Sequence, residues 1–195
     1  MKAFIYYSII ALLSATAVIA CNNRSDTAER QSPESKERAE KQNEAKFKTD
    51  TGEHNAQFVV DAANGNLAEI RLAQLAIQKS PNAEIKDLAK MLVNDHTAAL
   101  NDLKTIASEK SISIPADITD ATRDQLRKLT DEKPTQFDKA WTEQLMEKHQ
   151  QTISDYESAL GTVTDPDIQN WINSVLPKIR THHDKLMALN SRLKK

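Results

Sequence analysis

From about Glu53 onward, apolar residues recur every three to four positions, the spacing of one buried helix face. The first stripe holds Phe58, Ala62, Gly65, Glu69, Leu72 and Ala76, with Val59, Ala63 and Ile70 beside it, and predicts a helix running to about Lys79. Gly65 is the weak point, because glycine costs about 1 kcal/mol against alanine inside a helix; it is expected to mark a close helix contact or a local break. Ser80-Pro81 then reads as a cap followed by a first-turn proline. The second helix turns Ile85, Leu88, Leu92, His96, Ala99, Leu103 and Ile106 inward. Ser111 to Pro115 is a connection, and a short amphipathic segment follows at about Ile118 to Leu129. Pro134 and Thr135 open a third long helix, with Phe137, Trp141, Leu145, His149, Ile153 and Tyr156 on one face. Asp165-Pro166 starts a fourth, which carries Ile168, Ile172, Val175, Ile179, His182, Leu186 and Leu189. Pro177 lies inside it and predicts a kink, since it has no N–H for the Asn173 carbonyl. Four long amphipathic helices with short connections predict an all-α antiparallel four-helix bundle, with a short extra helix between helices two and three.

The N-terminal part is patterned differently. Lys2 precedes an uncharged run from Ile5 to Ala20, which ends in Val18-Ile19-Ala20-Cys21. The run is short against the roughly 20 residues a membrane span needs. It resembles the signal and lipobox of bacterial lipoproteins. The resemblance implies cleavage before Cys21, a diacylglycerol anchor on the Cys21 thiol and acylation of the new amino group. Each buried CH₂ then contributes about 0.8 kcal/mol to membrane attachment. Asn22 after the cysteine resembles the enterobacterial pattern for outer-membrane sorting. Residues 22 to 52 are almost devoid of large apolar side chains, Phe47 excepted. They are expected to form a disordered polar tether with at most a transient helix, because they cannot bury enough surface to offset ordering. The expected organisation is a signal peptide at 1–20, an acylated cysteine and tether at 21–52, and a helical domain at 53–195.

Composition narrows the chemistry. A formal net charge of −2 gives no bulk attraction for nucleic acid or anionic lipid. Cys21 is the single cysteine; once acylated it leaves no thiol for a disulfide, a thiolate metal site or a nucleophile. Scarce glycine and aromatics suit helices rather than a sandwich or barrel. No Gly-rich phosphate loop, serine nucleophile elbow or HExxH helix is present.

Each long helix carries one ionisable residue in its inward stripe: Glu69, His96, His149 and His182. Counted from the connections at ~1.5 Å per residue, the members of each helical hairpin fall within ~5 Å of one height. Two readings follow. Three imidazoles and a carboxylate suit one transition-metal ion (Zn, Cu, Fe or Mn), with the acid as ligand or as orienter of a ligand. The same residues suit a buried hydrogen-bonded network, for instance Glu69 with one histidine, that fixes helix register. Asp95 points off the core, as a contact or rim residue. His183 is expected to face solvent, and Asp138 belongs to helix-start chemistry. Trp141, Trp171 and Tyr156 read as core packing.

Phe58, Ala62-Ala63-Asn64-Gly65-Asn66-Leu67-Ala68-Glu69, Leu75-Ala76, Asp95-His96-Thr97, Leu103, Phe137-Asp138, His149, Leu176-Pro177 and His182 occur in the order of a known pattern. Over Asn55 to Leu193 the chain resembles a large family of ferritin-like bacterial envelope proteins of unknown function, often labelled predicted outer membrane proteins. The resemblance implies a ferritin-like bundle, lipid-anchored in the envelope and facing the periplasm. Di-iron carboxylate bundles need a Glu three residues before each ligand histidine on two helices. Here Val93 and Ile179 stand at those places, so a ferroxidase centre is not expected. A non-catalytic binding or stress-response module is the leading expectation, with an envelope protein or cell-wall component as partner. A mononuclear metal-binding protein is the alternative, and a metal-dependent oxidase or hydrolase the third reading.

Overall fold

A computed structural model describes residues 34–193. The signal segment, Cys21 and the first part of the expected tether lie outside the described residues. The described chain is all-helical, with α1 Ser35–Lys46, α2 Asp50–Lys79, α3 Ala83–Glu109, α4 Asp120–Asp131, α5 Pro134–Ala159 and α6 Pro166–Leu193. No helix among them is long and apolar enough to cross a membrane.

Helix starts follow local chemistry. Thr49 caps α2 by accepting from the Gly52 N–H, and Thr119 caps α4 by accepting from Thr122 N–H. Pro134 occupies the first turn of α5, where its missing N–H costs nothing. The Asp165 carboxylate accepts from the N–H groups of Asp167 and Ile168 at 3.0 and 3.3 Å and so opens α6. The start of α3 departs from expectation. Ser80 ends α2, and the cap is Asn82, which accepts from Glu84 N–H at 2.9 Å. Pro81 therefore lies in the connection and not in the first turn of α3. α6 continues through Pro177, which is exposed together with Asn173, so solvent can take the freed carbonyl.

α2 packs against α3, α3 against α6, α6 against α5 and α5 against α2, while α4 bridges α2 and α5. Two apolar clusters fill the space between the four long helices. One contains Leu72, Leu92, Leu129, Phe137, Trp141, Leu145 and Leu186. The other contains Ala63, Ala99, Leu103, Ile153, Tyr156, Trp171, Ile172 and Ile179. Each large side chain buried this way contributes roughly 1.5–3 kcal/mol. On every long helix a polar residue stands where the chain passes between clusters: Asn66 and Glu69 on α2, His96 on α3, His149 on α5 and His182 on α6.

The polar segment differs from its expected disorder. From Ser35 it forms α1, which packs on α2. Its anchor is polar: Asn43 is buried, donates to Ser113 O at 2.9 Å and accepts from Ser113 N–H at 2.7 Å. Lys46 donates to Ser111 O, and Lys36 pairs with Asp61 at 2.8 Å. Only Ala39 supplies a buried apolar side chain, so a hydrophobic pattern could not have revealed this helix.

Candidate metal centre

The polar layer is deeply buried: Glu69 is 4% exposed, His96 7%, His149 1% and His182 2%. The three imidazoles form a nearly equilateral triangle, with ring centroids 5.4, 5.5 and 5.7 Å apart. One nitrogen from each ring lies within 4.8 Å of one nitrogen from each of the other two.

Each ring is held by its outer nitrogen. His96 Nδ1 is 3.0 Å from Asn66 Oδ1. The Asn66 amide is itself oriented, because its Nδ2 donates to Ala62 O at 2.8 Å. Asn66 therefore presents its oxygen, and His96 Nδ1 is the donor. His149 Nδ1 donates to Leu145 O at 2.9 Å. His182 Nε2 donates to the Asp95 carboxylate at 2.9 Å. Three different acceptors thus select one outcome, a proton on each outer nitrogen and a lone pair on each inner one. The inner atoms, His96 Nε2, His149 Nε2 and His182 Nδ1, have no hydrogen-bond partner among the described residues. Buried acceptors are normally satisfied, at a cost of about 1–3 kcal/mol when they are not.

The surroundings disfavour the charged form of His96 and His182. Burial holds His96 well below the ordinary histidine range, and the neighbouring His149, His182 and Lys148 push it the same way. Burial also lowers His182, against the pull of the Asp95 carboxylate. Burial raises the Tyr156 phenol, with the Glu69 carboxylate adding to the effect, so Tyr156 keeps its proton.

A cavity of about 60 Å³ adjoins the histidines, bordered also by Glu69, Tyr156 and Lys148. It has room for roughly two water-sized groups. Glu69 Oε2 is buried without a partner among the described residues, and no hydrogen bond joins Glu69 to a histidine there. The convergent set among the described residues is the three histidines, with Glu69 on the wall beside them.

The other sequence candidates fall as follows. Asp95 lies at the half-exposed rim and orients His182. Trp141 is fully buried in the core, and its Nε1–H donates to Leu72 O at 2.9 Å. Asp138, one turn before Trp141, is half-buried and borders no part of the cavity. Pro177 is exposed on α6, and His183, next to His182 in sequence, is half-buried and outside the cavity. Cys21 lies outside the described residues. Sequence reasoning missed Asn66 as a participant; its signal was its place three residues before Glu69, on the same inward stripe. The Leu145 carbonyl left no signal, since a backbone acceptor carries no side-chain identity.

No curated protein and no solved structure matches the chain. A family sequence profile does match, over residues 37–189, which spans α2 to α5, nearly all of α1 and most of α6, and so includes the whole polar layer. The chain therefore belongs to the family described as Domain of unknown function (DUF4142).

Proposed function

We propose that this domain binds a single transition-metal ion through His96 Nε2, His149 Nε2 and His182 Nδ1. One observation carries the reading: three buried imidazoles turn unpartnered lone pairs toward one another while each outer N–H is committed to a fixed acceptor. Converging lone pairs repel one another unless a cation or a hydrogen-bond donor stands between them. An outer N–H bound to an amide, a backbone carbonyl or a carboxylate is the arrangement that orients metal-ligating histidines. Tetrahedral bonds of about 2.0–2.1 Å need nitrogens about 3.4 Å apart, so loading draws each nitrogen inward by less than about 1 Å. Neutral imidazoles favour Zn²⁺, Cu²⁺, Fe²⁺ or Mn²⁺ over the hard oxygen-seeking Mg²⁺ and Ca²⁺. The one pairing named for a structural network, Glu69 with a histidine, is not formed among the described residues.

The setting completes the proposal. The four long helices are read as a ferritin-like antiparallel bundle, and the lipobox at Cys21 as the anchor of an envelope lipoprotein facing the periplasm, most simply on the outer membrane. That location suits a module that binds or buffers a metal outside the cytoplasm, in a stress-response or storage capacity, beside an envelope protein or cell-wall partner.

Elemental analysis of the purified full chain, beside His96→Ala, tests the metal. About one ion per chain that falls below a tenth in the variant, with helical content unchanged, is the expected result. No retained metal after incubation with Zn²⁺, Cu²⁺, Fe²⁺ and Mn²⁺ in turn overturns it.

A further inference from the structure

Gly65 is unexplained by local geometry. α2 runs unbroken from Asp50 to Lys79, and no glycine has positive φ among the described residues. A Cβ built on Gly65 meets nothing within 4 Å. The residue marks neither the local break nor the close helix contact that its sequence position suggested. A glycine at mid-helix still costs about 1 kcal/mol against alanine. What its missing side chain leaves is open space.

That space lies between two hollows. Gly65 borders the cavity beside the histidines. It also borders a surface groove where α2 faces α5, which Phe58, Asp61 and Asp155 flank too. Lys148, Thr152 and Tyr156 border both hollows as well. These four residues form the wall the two hollows share, and Gly65 is the one that contributes no side chain to it.

Both signs of charge stand around the two hollows. Asp61 is paired with Lys36, and Asp155 accepts from Gln151 at 2.7 Å. Lys148 borders the cavity from α5 and Lys178 from α6, opposite Glu69 and Asp95, so these four side chains offset one another and a bound ion supplies the positive charge. A divalent ion on three neutral imidazoles keeps its full positive charge, and three protein ligands leave a coordination position open.

We infer that the metal centre keeps an open position that takes a small anion of a few atoms, admitted from the α2–α5 groove past Gly65. The inference rests on the metal reading above. A cavity of about 60 Å³ suits a group of a few heavy atoms, and the charge of the divalent ion favours an anion over a neutral molecule of the same size.

The test uses Co²⁺ as a spectroscopic probe and azide as the anion. The full chain is loaded with Co²⁺, its visible d–d bands are recorded, and azide is titrated in. Saturable band shifts are expected in the native chain and in Gly65→Ala, whose Cβ has room. Gly65→Leu should keep the Co²⁺ bands and lose azide affinity at least tenfold, because its side chain fills the passage. Thr152→Leu, across the same opening, should do likewise and serves if Gly65→Leu does not fold. Cobalt bands that azide leaves unchanged in the native chain show a filled position and overturn the inference while leaving the metal reading intact. Equal azide affinity in the leucine variants overturns the route. Absence of any cobalt bands overturns the metal reading and this inference together.

Discussion

The two apolar halves of the core flank the same polar layer, but only one of them leaves room beside it. The half containing Leu72, Leu92, Phe137, Trp141, Leu145 and Leu186 has these side chains fully buried, and none of them borders the cavity. All the apolar residues around the cavity, Ala99, Tyr156, Trp171, Val175 and Ile179, belong to the other half. Both halves use the same device to join helices. Trp141 donates its indole N–H to Leu72 O on α2, and Trp171 donates to Ala99 O on α3 at 3.0 Å. The difference lies in side-chain size around them. Leucines dominate the closed half, whereas alanines and an aromatic trio of Phe58, Tyr156 and Trp171 shape the open one. Interiors packed to crystal-like density hold no gap by accident for long, since each unfilled volume forfeits contacts. One half therefore supplies stability, and the other gives up some of it for space next to three lone pairs.

Substitution of the tryptophans should break the symmetry of the two halves most visibly. Trp141→Ala opens a hole in the closed half and should cost about 3–5 kcal/mol. Trp171→Ala enlarges a hollow that already exists and should fall at or below the lower end of that range. Urea midpoints of the two variants decide it, and equal losses would mean that both halves are equally closed.

The hold on the ligands should show a smaller effect. Asp95→Asn keeps the side-chain shape but weakens the acceptor for His182 Nε2. Metal affinity should fall about 10–100-fold, or about 1.4–2.8 kcal/mol, with the apoprotein's urea midpoint nearly unchanged. Competition with a chromophoric chelator measures the affinity. An unchanged value would make Asp95 a surface contact without influence on the site.

The pH dependence of the metal-free chain should be smaller still. His96 and His182 are held below the usual histidine value in the folded state, mainly by burial. In the unfolded chain they titrate near about 6.5. Between the lowered folded values and that pH the unfolded chain binds more protons, so stability rises with pH and is lost as pH falls below about 6.5. Each residue contributes at most about 1.4 kcal/mol per pH unit. Urea midpoints in EDTA at pH 7.5 and 5.5 should differ accordingly, and His96→Leu should flatten the difference. A slope that the substitution leaves untouched would place the pH dependence elsewhere.

Much of the polar layer was legible in the linear chain because it interrupts strong helical stripes. A histidine or glutamate within a run of leucines at helical spacing has to face inward, and the four long helices follow the stripes to within a few residues. Helix α1 was not legible, since a polar segment with one buried alanine gives no periodic signal and its anchor is the amide of Asn43 on a loop 70 residues away. The start of α3 was misplaced for a local reason. Ser-Pro and Asn two residues later both carry start chemistry, and the chain uses the amide of Asn82.

The sequence by itself determined the long helices, their inward faces and the similar heights of the ionisable groups within each helical hairpin, because helical periodicity and rise are properties of neighbouring residues. Only the tertiary structure decided that three histidines from different helices meet, which nitrogen of each is held and which is free, and that Glu69 stands on the cavity wall. Those facts depend on which acceptors, Asn66, Leu145 O and Asp95, fold up behind each ring. The partner of His96 is 30 residues away and that of His182 is 87, separations across which periodicity carries no information.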